Sequence, residues 1–249
     1  MASNGNCRLC KHPLSVTFAN LGVSPLANSY LKPEELRLME PFYPLHVYVC
    51  SRCFLVQLEE FESPDAIFSD YAYFSSYSTS WLEHAQQYVD RMMERFALGP
   101  ESLVMEVASN DGYLLQYFRD RDVPVLGIEP AVNVAKVATD RGIATRTMFF
   151  GADTATTLVQ EGYAADLIAG NNVYAHVPDL HSFTEGLRIA LKPTGVITLE
   201  FPHLVQMIRH TQFDTIYHEH FSYLSLLAVS KVFAEHGLAI FDVEELSTH

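Results

Sequence analysis

The sequence predicts an α/β protein in which a parallel sheet wound by helices follows a small metal-binding module. Three observations predict it. From Leu103 to Val243, short apolar runs alternate with helical patterns, the order that builds βαβ units. The turn Val104-Met105-Glu106-Val107-Ala108-Ser109-Asn110-Asp111-Gly112-Tyr113 joins the first of those strands to a helix and carries the polar and glycine residues of a nucleoside-binding loop. Ahead of it, all four cysteines fall in two Cys-x-x-Cys pairs, a spacing that favours a metal over disulfides in a cytosolic chain.

Composition narrows the classes. Hydrophobic residues make up 49% of the 249 and aromatics 12%, ample for a packed core and against disorder. The net charge is −14 and no Lys/Arg run interrupts it, so a phosphate backbone would be repelled and nucleic acid is not an expected partner. No apolar stretch approaches the roughly 20 residues a bilayer span needs. Met1 to Asn6 lacks the basic-then-apolar pattern of a signal peptide. The expectation is a soluble, cytoplasmic monomer that contacts neither membrane nor nucleic acid.

The chain divides in three. Residues 1 to about 65 hold both cysteine pairs and Pro13, Pro25, Pro33, Pro41 and Pro44, and predict turns and short strands. An aromatic, serine-rich stretch, Asp70 to Ser78, leads into a helix over Ser80–Phe96, with Trp81, Ala85, Tyr88, Val89, Met92 and Phe96 on its apolar face and Gly99-Pro100 to end it. The alternating region predicts strands at Leu103–Val107, Val123–Ile128, Leu167–Ala169, Gly195–Glu200 and Leu238–Val243. Its helices fall at Asp111–Arg119, Ala131–Arg141, Leu180–Leu191 and Leu224–His236.

Cys7, Cys10, Cys50 and Cys53 are the candidate metal ligands. Two thiolates three positions apart can turn onto one ion, and two such pairs complete the tetrahedron that zinc prefers. Four thiolates leave no open position for water, which makes the role structural. A zinc deaminase would want a proline before the second pair and a His-x-Glu upstream; Val49 precedes Cys50 and no His-x-Glu lies before it.

In the nucleoside turn, Ala108 and Asn110 stand where glycines are usual and Gly112 remains. Alone, such a turn is a weak signal. Glu129, at the end of the next strand and followed by Pro130, can accept both hydroxyls of a ribose; the bland reading is an acid favoured by a helix N-terminus. Asn171 and Asn172 follow a later strand, where polar residues line the crevice of such sheets, or simply turn the chain. A dinucleotide dehydrogenase would share the architecture. Asp111 adds a carboxylate where a pyrophosphate would sit, and that charge favours the sulfonium of S-adenosylmethionine over a dinucleotide.

Tyr217-His218-Glu219-His220-Phe221-Ser222-Tyr223 is the densest titratable cluster, and histidine is the side chain best matched to proton transfer near neutral pH. In extended backbone Tyr217, Glu219 and Phe221 would face one way and His218 and His220 the other. A bent loop would let Glu219 and His220 both reach inward, with His176 close enough to join them. His218-Glu219-His220 lacks the helical spacing of a zinc protease motif.

The ordered set Cys-x2-Cys, Cys-x2-Cys, Tyr-Phe-Ser-Ser-Tyr-Ser, Glu-Val-Ala-Ser-Asn-Asp-Gly-Tyr, Gly-Ile-Glu-Pro, Asn-Asn-Val-x-Ala-His-Val and Tyr-His-Glu-His-Phe-Ser-Tyr resembles the zinc-containing sugar C-methyltransferases, over essentially the whole chain. The resemblance implies a Rossmann-like class I methyltransferase sheet behind a four-cysteine zinc domain. It implies methyl transfer from S-adenosylmethionine to a sugar carbon, commonly C3, of a dTDP-linked 4-keto-6-deoxyhexose through an enolate. It places zinc on Cys7, Cys10, Cys50 and Cys53, and the cofactor on Glu106, Ala108, Asn110, Gly112, Glu129, Pro130, Asn171 and Asn172. The substrate segment would include Tyr71, Tyr73, Tyr77 and Ser78. Catalysis would fall to His220 as base with Glu219 tuning or orienting it, and to Tyr217 and His176 as enolate or substrate contacts. The implied domains are 1–65 (zinc-binding), 66–100 (aromatic lid and linker helix) and 101–249 (cofactor-binding). The chain stops at Leu246-Ser247-Thr248-His249, where the family pattern continues into a glycine pair, so the family's last antiparallel strand and C-terminal domain are expected to be absent. Two other readings remain open: a non-catalytic binding module with the same fold, and an O- or N-methyltransferase.

Overall fold

The computed structural model describes residues 5–68 and 71–246; Asp70, at the head of the aromatic stretch, and the closing Ser247-Thr248-His249 lie outside the described residues. In chain order come β1 (Val16–Ser24), β2 (Tyr43–Val49), β3 (Val56–Leu58), α1 (Pro64–Phe68), α2 (Thr79–Phe96), β4 (Val104–Val107), α3 (Leu115–Arg119), β5 (Val125–Ile128) and α4 (Val132–Asp140). They are followed by β6 (Thr145–Arg146), α5 (Ala152–Gln160), β7 (Ala165–Asn171), α6 (Leu180–Ala190), β8 (Leu191–Glu200), α7 (Leu204–His210), β9 (Ser222–Tyr223) and α8 (Leu226–Glu235). The chain folds as two compact units. The first holds Met1–Pro64, Tyr174–His181 and Phe201–His249; the second holds Asp65–Val173 and Ser182–Glu200. No helix among the described residues is long and apolar enough to cross a membrane.

The first unit is built on an antiparallel sheet of order β1-β2-β3-β9. Its last strand comes from far along the chain: Val56 pairs with Tyr223 and Gln57 with Ser222. Leu45, Val47, Val56, Leu58, Leu204, Met207, Ile216 and Tyr223 form its small core. β1 is exposed along most of its length, so the apolar effect that anchors the sheet is concentrated on β2 and β3.

The second unit is a five-stranded sheet of order β6-β5-β4-β7-β8, parallel throughout. β4, at its centre, is buried at every position, as expected of a strand covered on both faces. Helix α2 packs Ala85, Tyr88, Val89 and Met92 into a core shared with Leu114, Leu115, Phe118, Val123 and Leu167. Ser78 starts that helix by accepting from the Trp81 amide at 3.3 Å.

Several expected elements change. Helix α2 stops at Ala97, which adopts the left-handed conformation (φ 48°) two residues before the expected glycine stop; an alanine has taken the C-terminal capping position that glycine usually fills. The helix expected from Asp111 begins at Leu115, because Gly112 holds φ +77° and the motif turn consumes the intervening residues. Helices α5 and α7 were not expected. The strand expected at Leu238–Val243 does not form: the segment is irregular, with Phe241 65% and Val243 57% exposed. An apolar run becomes a strand only where a neighbour accepts its ladder, and this one has none among the described residues.

Candidate active site and metal centre

The two cysteine pairs sit in turns of the same design. In one, the Lys11 amide donates to the Cys7 carbonyl at 2.9 Å and the Cys7 amide to the His12 carbonyl at 2.8 Å. In the other, Phe54 donates to Cys50 and Cys50 to Leu55, both at 2.9 Å. The residue after each second cysteine, Lys11 (φ 58°) and Phe54 (φ 67°), is left-handed, which folds each pair back on itself. All four sulfurs lie within 4.8 Å of one another, with Cys7–Cys53 at 3.4 Å and Cys10–Cys50 at 3.5 Å. A tetrahedral zinc with bonds of about 2.3 Å sets its sulfurs about 3.8 Å apart, so the donor set fits one zinc ion. The Gln57 amide donates to Cys7 Sγ at 3.1 Å and accepts from the Arg8 amide at 2.8 Å, an outer hydrogen bond of the kind that orients metal ligands.

The nucleoside turn keeps glycine geometry without most of the glycines. Ala108 (φ 58°), Asn110 (φ 48°) and Gly112 (φ 77°) are all left-handed. A Cβ on Gly112 would come within 2.9 Å of Ile143 Cγ1, so there the glycine is required by space as well as by conformation. Glu129 braces the turn: its two oxygens accept the Asn110 and Ala131 amides, each at 2.9 Å. Burial raises its pKa and those two amides oppose the rise. Each carboxylate oxygen still has a second lone pair for a ligand hydroxyl. Pro130 continues from it into α4. Burial drives Glu106, on β4, well above the usual carboxylate range, with the Tyr113 hydroxyl acting the other way. Tyr113 is near enough to act on it, yet neither of its oxygens has a hydrogen bond of good geometry, nor does Asn171 Nδ2 on the adjacent strand β7. Buried polar atoms left open at the carboxyl edge of a parallel sheet are what a ligand would complete. Asn172 is left-handed (φ 54°), and its amide donates to the Glu200 carbonyl at 2.7 Å. Asp111 does not present the free charge expected of it: its carboxylate is buried and pairs with Arg141 at 3.1 Å, with Ser76 as a further donor.

The aromatic stretch is pinned onto this turn. Asn110 accepts the Ser75 amide at 2.8 Å and donates to the Tyr73 carbonyl at 3.1 Å. Asn133 clasps the Tyr71 backbone from both sides, at 3.2 and 2.8 Å. Tyr77 is 81% exposed and stacks on Phe74. The Ser78 hydroxyl is committed to capping α2.

In the first unit, the expected alternation over residues 217–221 gives way to a β-turn. The His220 amide donates to the Tyr217 carbonyl at 3.0 Å, which brings the two rings together: Tyr217 Oη lies 3.1 Å from His220 Nε2. His220 Nδ1 meets the Thr215 carbonyl at 2.9 Å. A carbonyl only accepts, so Nδ1 carries the proton, Nε2 keeps the lone pair and Tyr217 donates to it. The His176 ring lies 4.6 Å from that of His220, edge to face. Burial lowers the His220 pKa to about 4 against the Thr215 bond. Burial first, then His220, lowers that of His176 to about 3, against the Glu219 backbone. Burial raises Tyr217, helped by Glu219. The Thr215 carbonyl, rather than the Glu219 carboxylate, orients His220; Glu219 accepts from Asn28 Nδ2 at 2.8 Å. His218 turns away to the Pro44 carbonyl at 3.2 Å, edge-on to Tyr43 and Phe61. Asn28, Thr215, Gln57 and Arg8 escaped the sequence reading; nothing in their local pattern marks them, since their partners lie far along the chain or are backbone atoms.

A four-thiolate module and a parallel sheet with a left-handed nucleoside turn define a metal-stabilised, nucleoside-binding α/β protein. Residues 81–243 match the family described as "Methyltransferase domain", more than half of the chain, and the chain belongs to that methyltransferase family. Residues 7–68 match the family described as "Putative zinc binding domain". C-methyltransferase NovU of Streptomyces niveus is 38% identical over 243 residues, which take in 98% of this chain and 58% of that protein. The chain therefore spans 58% of the length of this curated relative. A SAM dependent methyltransferase from Archaeoglobus fulgidus shares the fold, with a TM-score of 0.51 at 12% identity, over 63% of this chain and 68% of the other.

Proposed function

We propose that the chain moves a methyl group from S-adenosylmethionine to a carbon, C3, of a dTDP-linked 4-keto-6-deoxyhexose, working as a cytoplasmic monomer. The observation that carries the reading is the His220 imidazole: buried, neutral, with Nδ1 tied to the Thr215 carbonyl and Nε2 left as the basic nitrogen, accepting from Tyr217 Oη. The C-methyltransferase name of the relative that matches nearly the whole chain supports the reaction class.

Along the sequence, residues 1–65 serve as the zinc-binding domain, 66–100 as the aromatic lid and linker helix, and 101–249 as the cofactor-binding domain, of which 174–181 and the part from 201 onward fold with the zinc-binding unit. Cys7, Cys10, Cys50 and Cys53 hold a structural zinc, whose closed thiolate shell takes no part in chemistry. Glu129 receives the ribose hydroxyls, while Glu106, Ala108, Asn110, Gly112, Pro130, Asn171 and Asn172 frame the rest of the cofactor. When bound, S-adenosylmethionine supplies an electrophilic methyl group. His220 Nε2 takes the C3 proton, made acidic by the neighbouring ketone. As Nε2 takes that proton it ceases to accept from Tyr217, and the electron pair left on carbon delocalises onto the C4 oxygen, where the freed Tyr217 hydroxyl and His176 donate hydrogen bonds. Tyr71, Tyr73 and Tyr77 flank the sugar. Ser78 contributes by fixing the start of α2.

The test is calorimetric titration of the zinc-loaded chain with S-adenosylmethionine and then with the keto-sugar nucleotide, followed by NMR assignment of the methylated atom. Binding of both and a new carbon–methyl bond are expected. Methylation at oxygen or nitrogen would replace the reaction class, and a folded protein that binds no S-adenosylmethionine would leave a binding module. Replacing His220 with alanine should lower turnover by about 100-fold or more, while S-adenosylmethionine still binds.

A further inference from the structure

Arg8 immediately follows a metal-ligating cysteine and is half-buried, its guanidinium reaching groups that no zinc site requires. Its Nη1 donates to the Pro178 carbonyl at 3.1 Å and its Nη2 to the Leu58 carbonyl. The guanidinium also lies over the Phe221 ring, 5.5 Å from its centroid. Pro178 is two residues beyond His176, and Phe221 is next to His220. Leu58 is itself tied to this loop, since its amide donates to the Phe221 carbonyl at 3.0 Å. One cation therefore grips the stretch that carries His176, the stretch that carries His220 and strand β3.

We propose that Arg8 is a positioning residue that sets the mutual geometry of His176 and His220. This rests on the reading of those two residues as the reacting pair. A planar guanidinium can serve two carbonyls and one aromatic face at once, which an ammonium cannot. The two imidazoles sit on separate stretches, Tyr174–His181 and the turn after Thr215, and β9 supplies the second stretch with only two paired residues. A ladder that short does not fix a ring to within the fraction of an ångström that proton transfer demands. Arg8 adds a further constraint to those from the Thr215 carbonyl and the Glu219 backbone, and the Gln57 bridge between Cys7 Sγ and the Arg8 amide makes the metal turn the foundation on which it rests.

The experiment compares the full chain with its Arg8→Met and Arg8→Lys variants, each with zinc content measured and each labelled for imidazole NMR. In a folded, zinc-loaded Arg8→Met protein the His176 and His220 ring resonances shift and broaden, while those of His84, on α2, stay in place. Arg8→Lys gives the same shifts in smaller measure, because the shorter ammonium lacks the planar fork that spans both carbonyls while covering the Phe221 face; it supplies the reading if the methionine variant does not fold. Where methyl transfer is measurable, kcat falls about 10- to 100-fold with the KM for S-adenosylmethionine unchanged. Unchanged His176 and His220 resonances in either folded variant would overturn the proposal. The imidazole signals need no turnover, so a chain that transfers no methyl but shows the shifts would lose the proposed reaction and keep the positioning role of Arg8.

Discussion

The two units are stabilised by different means. In the second, a fully buried parallel strand and an apolar helix face supply the stability, and polar atoms such as the Glu106 carboxyl and Asn171 Nδ2 are left open at the sheet edge. In the first, the core is small, β1 is largely exposed, four thiolates and Gln57 tie the N-terminal stretch to itself, and that stretch is joined to two later ones by a two-residue strand pairing and by side-chain bridges from Arg8 and Asn28. Apolar burial tolerates unfilled polar sites that await a ligand. A metal-anchored assembly with a small core leans on hydrogen bonds such as those that hold His220 and Glu219. The first unit should therefore fail abruptly when its metal is lost, and the second only by degrees.

The largest effect follows from removing zinc, by chelation or by Cys50→Ser. Structural zinc contributes about 10 kcal/mol or more in small domains. Hydrogen exchange should show amides of β2, β3 and β9 losing protection while those of β4, β5 and β7 keep theirs. Uniform loss in both units would abolish the distinction. A smaller effect is expected for Gly112→Ala. Its left-handed φ and the nearby Ile143 side chain predict a loss of about 1–3 kcal/mol in urea unfolding, together with loss of S-adenosylmethionine binding; wild-type affinity would show that the turn is not the cofactor site.

Acid pH sharpens the comparison further. The His220 ring, faced by Tyr217, Tyr223 and His176, has its pKa lowered to about 4, below the value near 6.5 of an unfolded histidine. Between those limits the unfolded chain binds the extra proton, so stability is full above about pH 6.5 and falls as the pH drops toward 4. One such ring contributes at most about 1.4 kcal/mol per pH unit. Against wild type, His220→Gln should flatten that part of the unfolding-versus-pH curve; identical slopes would mean that the ring is charged in the fold. The smallest effect belongs to Ala108→Gly. Releasing a left-handed alanine offsets the added freedom of the unfolded chain, and thermal unfolding should change by less than about 1 kcal/mol.

The parallel sheet was legible because its signal is local. Val104–Val107, Val125–Ile128 and the apolar face from Ala85 to Met92 each declare themselves by run or period. The cysteine pairs were legible for the same reason. Helix α5 was hidden by its threonines and short apolar side chains, whose pattern at Ala152, Ala155 and Leu158 is weak in amplitude. The Leu238–Val243 run misled because a strand's existence depends on a neighbour that local pattern does not reveal. At the site, residue types were readable but connections were not. That Thr215 rather than Glu219 holds His220, and that Asp111 spends its charge on Arg141, are consequences of a turn and of a partner 30 residues away.

The most direct test of the central claim is isotope exchange at the sugar carbon. The zinc-loaded chain is incubated in heavy water with a dTDP-4-keto-6-deoxyhexose and S-adenosylhomocysteine, which cannot transfer a methyl group, and deuterium at C3 is followed by NMR. The account predicts exchange with the wild-type protein and none above background with His220→Ala. A folded chain that binds the sugar nucleotide without promoting C3 exchange, or a His220→Ala protein that exchanges at the wild-type rate, would contradict it.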